Sequence, residues 1–176
     1  SARFYSTLAA TVSVQDGAKS SIASLLVGCC SDTDPSTRKF ACFAIGNAAF
    51  HNPSLYKLLA SAVRPLTLAL TDADDKTRAN AAGALGNLAR NGGDLAHLIS
   101  KENAPRALLD LILTHNTGFK SSSPNISSAR TALFSLGTMA VYSPSRAALI
   151  QTSESVHPTL DDLFRAVADA GKSADE

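Results

Sequence analysis

Asn47 follows Gly46 and Asn87 follows Gly86, 40 residues apart (87 − 47), inside the near-copies TRKFACFAIGNAA from Thr37 and TRANAAGALGNLA from Thr77. A primary amide donates and accepts hydrogen bonds but neither attacks nor titrates, so its chemistry is recognition. The groups that could do more are dispersed. Cys29, Cys30 and Cys42 form no Cys-x-x-Cys pair, and His51, His97, His115 and His157 lack ligand spacing. Reduced thiols acting as small hydrophobes are expected, and no metal site. The sequence has no nucleophile elbow, no phosphate-cradling glycine loop and no zinc-helix signature. It therefore reads as a non-enzymatic chain without a cofactor, whose work is to present a surface.

Composition narrows the partners. The 176 residues are 45% hydrophobic and 18% charged, with a net charge of +1, an ordinary balance for a globular domain. Without a dense Lys/Arg run, a nucleic-acid or acidic-membrane surface is not expected. The same near-neutrality speaks against a helical-repeat DNA-repair enzyme, which needs a basic cleft. No apolar stretch approaches a membrane span and no signal peptide is visible, so the expected location is cytoplasmic. The chain starts at Ser1-Ala2 without Met and in mid-pattern, which predicts a piece of a longer protein.

The period can be tested with residues that did not suggest it. Gly137 lies 51 residues beyond Gly86 (137 − 86), and the same two offsets align Pro53, Gly93 and Pro144, all helix punctuators. Leu58, Leu98 and Leu149 align too, as do Leu59, Ile99 and Ile150, and Pro65 aligns with Pro105. A repeat of this length marks a helical array whose units stack side by side. The 11 extra residues of the third copy (51 − 40) are expected in HNTGFKSSSPN, 115–125, a stretch without apolar periodicity. That insertion reads as a surface loop, and its Ser123-Pro124 is a weak phosphorylation motif.

Each copy opens with a long helix. Asp34-Pro35 supplies an N-cap and a proline at the first helical position, and the helix runs to about Phe50. Ala41, Ala44, Ile45 and Ala48 give it a narrow face of small groups, repeated by Ala81, Ala84, Leu85 and Leu88 and then by Ala132, Leu136 and Met139. Gly46, Gly86 and Gly137 sit inside these helices, where glycine costs about 1 kcal/mol relative to alanine. A close approach of another backbone would offset that. Short helices are expected over 54–60, 94–100 and 145–151, and middle helices over 63–70, 104–113 and roughly 156–167. Backwards, the register puts 1–10 at the end of a long helix and 20–30 in a middle helix. The expected organisation is a degenerate partial repeat over 1–31, repeats over 32–168 with the insertion at 115–125, and a polar tail over 169–176.

Three helices per unit of roughly 40 residues resembles the armadillo plan, an all-α, right-handed solenoid. More narrowly, KFACFAIGNAA (39–49) and KTRANAAGALGNLARN (76–91) resemble the C-terminal armadillo tail of Fused-type serine/threonine kinases. That resemblance implies a docking and scaffolding tail behind an absent kinase domain, with kinesin-like or ciliary protein partners and a cytoplasmic, ciliary or flagellar location. The alternative is an armadillo or HEAT adaptor of another system, for transport or cytoskeletal cargo. Armadillo stacks receive extended peptides along the third helices, where an Asn ladder bonds the ligand backbone. Asn47 and Asn87 match that position and the third copy has Thr138, although the same amide could instead tie adjacent repeats together. Importin-type arrays place Trp four residues earlier, where Phe43, Gly83 and Phe134 stand here, which argues against import-signal recognition of that kind. The face through the ladder collects Phe40, Phe43, Asn47 and Phe50, then Asn80, Gly83, Asn87 and Arg90, then Thr131, Phe134, Thr138 and Tyr142. It reads as a peptide-binding groove with aromatic walls and a shallow spot at Gly83, or its aromatics are inter-repeat core. Arg90 and Asn91 are the residues expected to be most open to a partner.

Arg38 and Arg78 lie near helix N-termini, where a cation needs an acidic partner, and Asp34 and Asp74 four residues earlier are the expected ones. Stack ends without capping repeats predict weak self-association.

Overall fold

The computed structural model describes residues 2–13, 19–51, 53–90, 93–117, 126–142 and 144. They begin with α1 (Ala2–Ala9), a two-stranded antiparallel hairpin of β1 (Thr11–Ser13) and β2 (Lys19–Ser21), and α2 (Ile22–Gly28). A long helix α3 (Pro35–His51) follows, then α4 (Tyr56–Leu59) and α5 (Val63–Ala69). The second copy gives α6 (Asp75–Arg90), α7 (Gly93–Lys101) and α8 (Ala104–Thr117), and the third opens with α9 (Ile126–Met139). The result is an all-α, repeat-like arrangement apart from one short hairpin.

Local chemistry starts the long helices. The Asp34 carboxylate accepts from Thr37 N at 2.7 Å and Thr37 Oγ1 at 2.8 Å, and Asp74 accepts from Thr77 N and Oγ1, both at 2.8 Å. Each satisfies an N–H that the first helical turn leaves without a partner. Asp32 and Asp72 repeat one step earlier, accepting from Asp34 N at 2.8 Å and Asp74 N at 2.9 Å. Between α7 and α8, Asn103 adopts φ 56°, a left-handed turn that Asn tolerates better than most residues.

Hydrogen bonds fix how the long helices stack. Asn80 Nδ2 donates to Lys39 O at 3.1 Å and Asn87 Nδ2 to Gly46 O at 3.0 Å, a constant separation of 41 (80 − 39, 87 − 46). Ser128 Oγ donates to Asp75 Oδ1 at 2.5 Å and Ser135 Oγ to Ala82 O at 2.8 Å, a constant separation of 53 (128 − 75, 135 − 82). Equal separations at two points along a helix require parallel neighbours, so α3, α6 and α9 lie side by side in register. Behind them α5 packs on α6, and α8 packs on α5 and α9. Ile45, Leu59, Leu66, Leu85, Leu88, Leu108 and Met139 fill the space between these layers, fully buried.

The glycines mark the crossings in two copies. A Cβ on Gly46 would lie 3.4 Å from Ala84 Cα, and one on Gly86 would lie 3.2 Å from Ser135 Cα and 3.0 Å from Ser135 Cβ. Ala84 and Ser135 are equivalent positions, each two residues before the next copy's glycine. Gly137 has nothing within 4 Å among the described residues.

The structure departs from the sequence expectation in three places. The first short helix is broken into 3₁₀ turns at Pro53–Leu55 and Ala60–Ala62 around the single turn α4. The hairpin stands before α2, whose start moves to Ile22 because Ser21 Oγ accepts from Ser24 N at 3.0 Å as its cap. Helix α8 continues through 115–117, so the loop cannot begin at His115; neither glycine nor proline interrupts it before Gly118. The rest of that stretch, the expected helices at 145–151 and 156–167, and the 169–176 tail lie outside the described residues.

Candidate partner-binding face

Because α3, α6 and α9 are parallel and in register, equivalent residues form rows across them. The rows are Phe40, Asn80 and Thr131; Phe43, Gly83 and Phe134; Asn47, Asn87 and Thr138; and Phe50, Arg90 and Val141. At about 100° per residue these positions fall on one side of each helix, with Val141 in the turn that follows α9. Phe40, Phe43, Phe50, Phe134 and Val141 are 63%, 54%, 48%, 75% and 69% exposed, so none of the four phenyls is inter-repeat core. Apolar groups concentrated on one exposed side mark an interaction surface more often than chance scatter does. Gly83 leaves a gap in the row between Phe43 and Phe134, and Thr131 Cγ2 stands 3.4 Å from where its Cβ would be.

The amides resolve between their two open uses. Asn87 and Asn80 each spend one N–H on a carbonyl of α3, tying adjacent helices together, while each amide keeps its oxygen and a second N–H. Asn47 is exposed on α3. The amide pattern ends at α9: Thr138 Oγ1 donates to Phe134 O at 3.1 Å and Thr131 Oγ1 to Ser127 O at 2.8 Å, both within their own helix. Two phenols brace the last turn of α6, whose carbonyls lack helical partners. Tyr56 Oη donates to Asn87 O at 2.7 Å and Tyr142 Oη to Arg90 O at 3.1 Å. Tyr142 is thus half engaged in the stack, and Asn91 lies outside the described residues.

Two cations on this side lie over rings. The Arg90 guanidinium stands 4.9 Å from the Phe50 ring centroid and Lys39 Nζ 5.2 Å from that of Phe40, the geometry of cation–π attraction. Carboxylates are gathered instead in the turns before α3 and α6. There the expected pairs are corrected: Arg38 Nε bonds Asp72 Oδ2 at 2.6 Å and Arg78 Nη2 bonds Asp75 Oδ1 at 2.8 Å. Asp34 and Asp74 are occupied as caps, and each arginine also donates to two carbonyls of its own turn. The Arg38 guanidinium holds the Asp72 carboxyl below its ordinary range. The Thr37 and Thr77 donors do the same for Asp34 and Asp74. Asp72, whose carboxylate joins one repeat to the next, was missed by reasoning from near neighbours, although Asp32 at the equivalent position was a signal. Cys30 and Cys42 are buried with their Sγ atoms 3.9 Å apart. The Cys42 sulfur and burial push the Cys30 thiol up, so it stays protonated.

Among the described residues no group of three or more His, Cys, Asp or Glu could hold a metal ion, and no helix is long and apolar enough to cross a membrane. A HEAT-like repeat family model matches residues 35–88, covering α3 to most of α6. No curated protein matches significantly. The crystal structure of an engineered protein is similar in fold, with a TM-score of 0.63 and 20% identity over 85% of this chain and 69% of that one. The family match supports a HEAT-like repeat arrangement of the helices there, and the engineered protein shows a likeness of fold.

Proposed function

We propose that this chain binds protein segments on the face formed by α3, α6 and α9, with Phe40, Phe43, Asn47, Asn80, Asn87, Arg90, Phe134 and Thr138 supplying the contacts. Tyr142 lies at its edge, and Asn91 is a further proposed contact from the sequence register. The observation that carries the reading is the exposure of Phe43 and Phe134, 54% and 75%, either side of the gap at Gly83. Buried aromatic and Arg anchors dominate protein interfaces, and exposed rings in a fixed register are anchors waiting for a pocket partner.

The finer identity follows the resemblance. The three-helix armadillo organisation, with a degenerate first repeat over 1–31 and repeats over 32–168, is supported by the 40-residue register. A docking tail of a Fused-like kinase, with kinesin-like or ciliary partners and a cytoplasmic or ciliary location, is supported by the two quoted segments. Weak self-association through the stack ends belongs to the same reading.

Selection from a random peptide library tests the face. Wild type and Leu68→Ser, on α5, should enrich the same binders, and a Phe43→Ser, Phe134→Ser double variant should enrich none. Equal enrichment by the double variant, with its circular dichroism unchanged, would move binding elsewhere.

A further inference from the structure

We infer that the occupant of this face is an acidic, extended segment carrying apolar side chains. The inference rests on the binding reading above and goes further by naming the ligand's charge and conformation. Charge sorting is its first ground. Within about 60° either side of Phe43 and its equivalents, the three helices carry Lys39, Lys76, Arg90 and Arg130. Asp75 is the one carboxylate in α3, α6 and α9, and it is buried against Ser128 and Arg78. The chain as a whole is nearly neutral, at +1. Its nearby acids, Asp32, Asp34, Asp72 and Asp74, stand at the helix starts and serve as caps, turn acceptors and the Arg38 partner. Lys39 helps to hold the Asp74 carboxyl below its ordinary range, and Lys39, Lys76, Arg90 and Arg130 have no ion-pair partner among the described residues.

The rings add the apolar half. Lys39 and Arg90 are held over Phe40 and Phe50, so a carboxylate reaching either cation brings its neighbouring side chain against a phenyl. Conformation follows from the amides. The remaining oxygen and N–H of Asn80 and Asn87 are suited to a backbone with unpaired groups, which an extended chain has and an α-helix does not. A nucleic acid would also meet cations and rings. Four cations spread among phenyls, without a dense run, favour the peptide, because phosphate binding draws on many neutralised charges at once.

The test uses three fluorescein-labelled peptides of about ten residues, alternating Leu with Glu, with Gln or with Lys, and an oligothymidine of similar length, read by anisotropy at low and high salt. The Glu peptide should bind about tenfold or more tighter than the Gln peptide and weaken as salt rises. The Lys peptide and the oligonucleotide should not bind. Arg90→Glu, Arg130→Glu should abolish the Glu advantage, and Arg130→Glu alone repeats the test if the pair impairs folding. Equal binding of Gln and Glu peptides, lost in Phe43→Ser, Phe134→Ser, would overturn the acidic assignment and leave the binding face standing. Oligonucleotide binding lost in that variant would replace a peptide with a nucleic acid, and no binding by any probe would overturn both readings.

Discussion

Gly86 and Gly137 hold one register position in different surroundings, and single substitutions should separate them. At Gly86 an added methyl meets Ser135 Cα at 3.2 Å and Cβ at 3.0 Å. Backbone cannot yield cheaply there, so Gly86→Ala should destabilise by about 1–3 kcal/mol in spite of its better helix propensity. Gly137→Ala, with nothing within 4 Å of an added Cβ among the described residues, should stabilise by up to about 1 kcal/mol, and thermal melts of the two variants decide. Asn87→Ala should cost about 0.5–1.5 kcal/mol, since it removes the tie to Gly46 O while that carbonyl keeps its own helical partner. Recurrence of glycine and asparagine at 40 residues made these positions legible in the sequence. What the sequence could not say is where each Asn points, because that depends on a neighbour 41 residues away. Nor could it decide whether the phenyls were core or surface: an aromatic stripe on a helix looks the same in either setting, and only the packing of α6 between α3 and α9 turned it outward.

The start of α3 was legible, since the Asp34-Pro35 cap acts within four residues, and Asp74 plays the same part before α6. Arg38 shows the limit of such local rules: a four-residue rule selects Asp34, but the partner is Asp72, 34 residues on (72 − 38). The β1–β2 hairpin was missed because a period learned from α3 and α6 was carried back into a segment that does not share it. The turns also set the pH response. Asp34, Asp72 and Asp74 have folded carboxyl pKa values below the ordinary carboxylate range, so the unfolded chain binds their protons first. Their stabilisation is therefore full above about pH 5 and lost as pH falls through the folded values below about 4. Melting temperature should hold from neutral to mildly acidic pH and then drop. In Asp74→Asn, which can still cap but not titrate, the drop should be shallower; an identical acid profile would assign the acid sensitivity to other carboxylates.

At the scale of the whole molecule, stacking and charge sorting are two results of one repeat. The turns before α3 and α6 spend their carboxylates on starting those helices, and Asp72 and Asp75 also bridge neighbouring copies, leaving the shared side of α3, α6 and α9 with rings, amides and cations. Stacked helical repeats offer an extended surface, and the activity proposed for this chain is to hold another polypeptide along it. The most direct measurement is the shift of backbone amide resonances on titration with the Glu–Leu peptide. The changes should form one continuous set through Phe40, Phe43, Asn47, Asn80, Gly83, Asn87, Arg90, Phe134 and Thr138; changes confined to α2 and α5, around Leu25 and Leu68, would contradict the account.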